Sequence, residues 1–132
     1  MATLSDQEKA VLAEANYAHL TTMNSDGSPQ ASVVWIDVDG DDILINTAEG
    51  RAKARNVRRN PKVAISITRM DNPFNWVGVR GTVVEVTNDG ADAHIDKLAG
   101  KYLGAETYPY RADGEVRVMM RIRPDRVTSV FM

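Results

Sequence analysis

The sequence predicts a mainly β protein, a small barrel of six or seven mostly antiparallel strands with about three short helices. Two runs rich in β-branched and aromatic residues, Tyr17 to Met23 and Gln30 to Val38, flank NSDGSP, where Asp26-Gly27 favours a tight hairpin turn. Near the C-terminus Val116, Val118, Met120 and Ile122 alternate with Arg117, Met119, Arg121 and Arg123, the period-two pattern of a strand with one buried face. So many strands in 132 residues favour closure into a barrel, because closure removes exposed edges.

Each element has its own signal. Ser5 to Glu8 reads S-x-x-E, a capping box, ahead of the apolar Ala10, Val11, Leu12 and Ala15 of a first helix. After the hairpin, a second turn at Asp39 to Asp42 leads into a strand from Ile43 to Thr47, so the opening reads as a three-stranded meander. A second helix spans about Gly50 to Arg59 and stops at Asn60-Pro61, since the residue before proline is pushed out of the helical region. Strands at Val63 to Thr68 and Trp76 to Thr87 follow, with Gly78 and Gly81 marking a bulge or a close backbone contact. A third helix begins after Asn88-Asp89-Gly90 and places Ile95, Leu98, Ala99, Tyr102 and Leu103 on one face. The stretch GAETYPYRADGE then reads as loop.

Composition narrows the function classes. A net charge of -2 gives no global attraction to nucleic acid or to an anionic membrane. With no cysteine, thiol chemistry and cysteine-ligated metal are out of reach. His19 is expected on a strand and His94 on the outer part of a helix, without the spacing of a metal site. The run Asp37 to Asp42 lacks the ligand spacing of a calcium loop and reads as a turn. No nucleophile elbow or phosphate-loop consensus is present, so any enzyme chemistry falls to a cofactor. The charged start and the lack of a long apolar run predict a cytoplasmic protein with no membrane partner.

The most informative stretch is Thr47 to Pro61, TAEGRAKARNVRRNP. Between Arg51 and Lys62 there are six cations (Arg51, Lys53, Arg55, Arg58, Arg59 and Lys62) and no acid, although acids outnumber Lys and Arg 18 to 16 overall. A helix start already carries unpaired N–H groups and the positive end of the dipole, so cations there suit a bound anion such as phosphate. The competing reading is a solvated cationic face. Trp35, in SVVWID, admits two readings too, a wall for a flat ring or a core or interface tryptophan, and Trp76 shares the ambiguity.

The sequence from Asp26 to Ile67, the strand ending VRGTVVEV and the final R-I-R-P-D-R-V together resemble the flavin and deazaflavin oxidoreductase superfamily, the pyridoxamine-phosphate-oxidase-like, FMN-binding-type split β-barrels. The run G-R-A-K-A-R-N is most similar to the reductases that use coenzyme F420. The resemblance covers nearly the whole chain and implies one split-barrel domain over residues 1–132, a homodimer with two cofactor sites at its interface, and a small-molecule substrate. It implies that Arg51 and Lys53 bind the phosphate, that Gly50 and Ala52 offer backbone contacts, and that Arg55 and Asn56 support the same corner. Thr47 would meet the phosphate or the sugar-like chain, and Ser32, Val33, Val34 and Trp35 would underlie the ring. Phe74, Asn75 and Trp76 would reach a site from the partner subunit. The long C-terminal extension of true pyridoxamine-phosphate oxidases is missing from this sequence, which counts against that activity.

The chemistry implied is hydride transfer from reduced F420 to an activated double bond, with no proton donor identifiable. F420 is more anionic than FMN, which favours it for so many arginines. FMN-dependent oxidoreduction on the same barrel is the alternative, followed by a non-catalytic carrier of a flavin, deazaflavin or haem-type ligand.

Overall fold

A computed structural model describes residues 2–132. In chain order the elements are α1 (Asp6–Ala13), β1 (Ala18–Met23), β2 (Pro29–Val34), β3 (Asp37–Asp39), β4 (Asp42–Ala48), α2 (Ala52–Arg59), β5 (Lys62–Thr68), β6 (Trp76–Thr87), α3 (Ala91–Leu103) and β7 (Arg117–Val130). All seven strands join one antiparallel sheet in the order β2-β1-β5-β6-β7-β4-β3. The mainly β architecture with three helices is therefore as the sequence predicts.

Two expectations are corrected here. The stretch from Gln30 to Val38 is not one strand, because it breaks at Trp35-Ile36 and its halves pair with different neighbours, β2 with β1 and β3 with β4. The opening is thus two hairpins rather than a three-stranded meander. Nor does the barrel close, since β2 and β3 remain the two ends of the ladder.

The physical reason lies in the backbone of Ile36. Its N–H donates to the Tyr102 hydroxyl at 3.0 Å, and its carbonyl accepts from the Lys101 ammonium at 2.6 Å. Side chains of α3 thus take the bonds that a neighbouring strand would have made, and the split becomes a satisfied junction. Tyr102 also donates to the Asn16 carbonyl at 2.6 Å, and Lys101 to the Leu12 carbonyl at 2.7 Å, so the same two residues tie α3 to the end of α1. Burial pushes the Lys101 amine down to about 8; the Asp37 charge opposes that shift and Lys97 adds to it. Trp35 closes the junction by stacking on Tyr102, with ring centroids 5.1 Å apart and planes 6° from parallel.

The interior is apolar. Leu20, Ile36, Ile43, Ile45, Ile67, Met120 and Ile122 are fully buried, each contributing about 1.5 to 3 kcal/mol by leaving water. The predicted alternation in β7 holds for Val118, Met120 and Ile122, but Val116 lies before the strand and is exposed, and Arg117, expected on the wet face, is buried. The strand also runs further than expected, through Pro124, which sits opposite Gly81 at a register shift where a missing N–H is tolerated. Gly81 is required there: an added Cβ would stand 2.7 Å from the Ile122 side chain and 3.0 Å from the Arg123 carbonyl.

The capping box forms as predicted, with Ser5 N–H donating to Glu8 at 2.8 Å and Glu8 N–H to Ser5 Oγ at 3.1 Å. On α3, Ile95, Leu98 and Ala99 are buried as expected, whereas Leu103 is exposed. His94, expected on the outer part of the helix, is buried.

Replacing Tyr102 with Phe keeps the ring stack but removes the partner of both Ile36 N–H and Asn16 C=O. We expect a loss of about 1 to 3 kcal/mol of stability in urea unfolding followed by tryptophan fluorescence. A loss below about 0.5 kcal/mol would show that water satisfies the junction equally well.

Candidate functional site

A pocket of about 170 Å³ lies where the C-terminal ends of β2 and β4 meet the start of α2, the first turns of α3 and the start of β7. Its walls are Val33, Val34 and Trp35 from the β2 end, Asn46 and Thr47 from β4, Arg51 and Lys53 from the α2 start, Ile95 from α3, Tyr108 and Tyr110 from the following loop, and Arg117. Thr47 is there because β4 runs on to Ala48 in register with β7, Thr47 facing Val118. Gly50 then turns the chain with φ of +86°, a left-handed conformation that glycine adopts without strain.

Three features of the α2 start favour an anion. Arg51 occupies the N-cap without a side-chain cap bond, and the first turn contains no acid, so the leading N–H groups have no side-chain acceptor. Lys53 is half-buried, and among the described residues no carboxylate pairs with it. Burial, then the charges of Arg51 and Arg117, push its amine below the ordinary lysine value. Thr47 is buried and its hydroxyl has no hydrogen-bond partner. An anionic oxygen in the pocket would satisfy groups that the protein itself leaves unpaired.

The six clustered cations separate in space. Only Arg51 and Lys53 line the pocket. Arg58 is occupied by Glu49, in a two-pronged pair at 2.6 and 2.8 Å, Arg55 donates to the Gly50 carbonyl, and Lys62 faces Asp125 across 3.7 Å. Arg59 donates to the Met23 carbonyl at 2.8 Å and to Asn56 at 2.9 Å. The partner acid for Arg58 lies two residues before the cationic run, outside the segment that held no acid.

The other expected site residues divide in the same way. Val33, Val34 and Trp35 do line the pocket; Trp35 gives one face to Tyr102 and meets Tyr108 edge-on at 5.9 Å. Ser32 points to the barrel side of β2, its hydroxyl buried without a partner, and is not a pocket wall. Gly50 and Ala52 flank the pocket in the backbone turn. Asn56 is buried and donates to Thr22 and Asn24, each at 3.0 Å, so it fastens α2 to the β1–β2 hairpin. Phe74, Asn75 and Trp76 stand elsewhere: Asn75 accepts from Met132 N–H at 2.7 Å, and Phe74 is exposed.

Five residues of the pocket, Asn46, Ile95, Tyr108, Tyr110 and Arg117, were missed by the sequence reading, and two of them carry its polar chemistry. Arg117, buried, places its guanidinium 5.1 Å over the Tyr108 ring and donates through Nε to Asn46 at 2.9 Å. The Asn46 amide in turn donates to the Ala91 carbonyl at 2.8 Å and lies 3.2 Å from His94 Nδ1. Since Arg117 fixes which end of that amide is the acceptor, His94 Nδ1 accepts and its Nε2–H donates to Asp37 at 3.0 Å. Lys97 donates to the same carboxylate at 3.1 Å. Burial pushes the Asp37 carboxyl up, but the bonds from His94, Lys97 and Val38 N–H outweigh it and hold it well below the usual carboxylate range. The arginine-rich alternation around Arg117 was the available signal, and it pointed to the wrong face.

A larger hollow of about 530 Å³ lies on the outer face of the sheet beside Thr21, Ala64, Arg80 and Arg126. It holds none of the uncapped or orphaned groups that distinguish the smaller pocket. Among the described residues no helix is long and apolar enough to cross a membrane.

A split, mainly β barrel with a cationic pocket at the end of β4 defines the class. The profile of the pyridoxamine 5'-phosphate oxidase family matches residues 4–131, and the chain belongs to that family. Among solved structures it is similar to an F420 reductase, with 31% identity, 95% of this chain and 98% of the other covered, and a TM-score of 0.84. It shares its fold with the conserved hypothetical protein Rv2991 from Mycobacterium tuberculosis (21% identity, 96% and 84% covered, TM-score 0.69). HupZ of Group A Streptococcus shares it as well (16% identity, 97% and 94% covered, TM-score 0.71).

Asp37 sets a pH limit on this region. The unfolded chain binds its proton more tightly than the folded one, so its contribution is complete well above the ordinary value of 3.8 and is lost as pH falls below it. Asp37→Asn should lower urea stability at pH 7, and the gap to the unmodified protein should narrow by pH 3. A gap independent of pH would contradict this assignment.

Proposed function

We propose that this protein is an oxidoreductase that binds coenzyme F420 in the pocket at the start of α2 and uses its reduced form to reduce an activated double bond of a small organic acceptor. The observation that carries the reading is Lys53, half-buried, without an acid, and held beside Arg51 and Arg117 at an uncapped helix start. Its amine, the Arg51 guanidinium and the first-turn N–H groups would hold a phosphate, and the Thr47 hydroxyl would donate to a neighbouring oxygen. Val33, Val34 and the edge of Trp35 would pack against the ring, with Tyr108 and Tyr110 on the loop side. When bound, the deazaflavin supplies the hydride. The protein positions it and excludes water.

The choice of F420 over FMN rests on the F420 reductase that is 31% identical. Charge counting supports it less than the sequence implied, because Arg55, Arg58 and Arg59 are engaged elsewhere. FMN is the second reading, favoured by the family to which the chain belongs.

We further infer that the working unit is a homodimer. Ala31, Val33, Ala64 and Ser66 are exposed on the β1, β2 and β5 region of the sheet, and Val33 is 61% exposed. Beside them Arg80 and Arg126 stand directly opposite each other across β6 and β7, and neither has an acid partner among the described residues. Like charges in that register are unfavourable alone and suit a surface met by another chain. Phe74, 71% exposed near Trp76, would extend the contact toward a partner's pocket.

Lys53→Ala should weaken F420 binding tenfold or more in an equilibrium titration, the loss of one charge-assisted bond of about 1.5 to 3 kcal/mol. Unchanged affinity would remove Lys53 from the site, and preference for FMN in the parallel titration would move the protein to the flavin branch. Light scattering should give twice the monomer mass, and Val33→Glu should halve it; a monomeric unmodified protein would refute the shared-site arrangement.

A further inference from the structure

Arg117 differs from the other cations of the pocket in being 4% exposed, and burying a guanidinium is costly unless its donors are met. Nε is met by Asn46 Oδ1 at 2.9 Å and Nη1 by Glu115 at 2.5 Å, while Nη2 has no protein acceptor among the described residues and is the accessible part of an otherwise buried guanidinium. Glu115 is shared, since Arg51 approaches the same carboxylate oxygen at 3.5 Å. One carboxylate therefore serves two arginines, and Lys53 has none. The unmet donor belongs to a residue that lines the pocket.

The buried chain behind Arg117 gives it direction. Asn46 presents its oxygen to Arg117 only while its amide faces the Ala91 carbonyl and His94 Nδ1, and His94 can accept there because its other nitrogen donates to Asp37. Four side chains from β3, β4, α3 and β7 thus form one line from the interior to the pocket. A simple structural ion pair would need only Glu115.

We propose that Arg117 is a third cationic ligand of the anionic group in this pocket, and that His94, backed by Asp37, is the positioning residue that aims it through Asn46. This rests on the reading of the pocket as an anionic-cofactor site. The ligand atom class is a phosphate or carboxylate oxygen, one that Nη2 and Lys53 would share. Geometry of this kind fixes where the anion sits and so the register of the ring beyond it.

Two amides separate positioning from bulk stability. His94→Asn keeps an acceptor where Nδ1 stands and gives up Asp37, whereas His94→Gln keeps a donor toward Asp37 and gives up the acceptor for Asn46. In equilibrium titrations with oxidised F420, Arg117→Met should bind at least tenfold more weakly and His94→Gln at least threefold, with His94→Asn within twofold of the unmodified protein. In the Arg117→Met background, His94→Gln should have no further effect, because its action passes through the guanidinium. Thermal melts of all variants identify any that fail to fold, and the Arg117→Met single variant still decides the ligand role. Full affinity in Arg117→Met overturns that role; equal losses in the two His94 variants, or full additivity with Arg117→Met, overturn the positioning role. If Lys53→Ala weakens binding and these variants do not, this inference fails while the cofactor site stands; if the unmodified protein binds neither F420 nor FMN, both fail.

Discussion

The structure depends on how the peptide of Ile36 is satisfied. At that residue the chain leaves one end of the sheet and re-enters at the other, and the transfer exposes an N–H and a carbonyl that no strand can reach. Leaving such groups unmet inside a protein costs about 1 to 3 kcal/mol each, and Tyr102 and Lys101 stabilise the split by bringing a hydroxyl and an amine to it. Helix α3 is therefore more than a cover on the barrel. It completes the backbone bonding of the sheet, and in doing so it brings Ile95, His94 and the loop bearing Tyr108 against the end of β4.

The pocket follows from that placement. Its floor comes from β4 and β7, which register fixes, and its charge from the start of α2, which Gly50 turns toward it. The other arginines of the run from Arg51 to Lys62 are paired locally or spent on carbonyls, which leaves Arg51 and Lys53, joined by Arg117, to set the charge of the pocket. A uniformly basic helix face would attract polyanions without fixing their place, whereas a half-buried lysine beside a buried arginine suits a single anionic group, such as a phosphate, at one end of a larger ligand.

Much of the fold was legible because local patterns decide it. The Asp26-Gly27 turn, the capping box at Ser5 and the alternation of Val118, Met120 and Ile122 each report on neighbours within a few residues. The break at Trp35-Ile36 was not legible, since Val33, Val34, Trp35 and Ile36 all favour a strand and the distant Lys101 and Tyr102 supply the bonds that satisfy the interruption. The site divides along the same line. Arg51, Lys53 and Thr47 were readable from one contiguous segment, while Asn46, His94 and Arg117 meet only through long-range pairing of β4, α3 and β7. The cluster of cations also misled: Arg55 and Arg58 belong to the same run as Arg51, yet Gly50 and Glu49 claim them first.

The central claim is that Lys53 waits for an anion, and its own ionisation reports this most directly. Resolved nuclear magnetic resonance signals of the Lys53 amine, titrated with pH before and after adding F420, would follow that one group. The account predicts a value below that of the protein's exposed lysines in the free protein, rising when the cofactor's phosphate takes its place beside the amine. A value that stays depressed in the presence of saturating F420 would place the anion elsewhere and contradict the account.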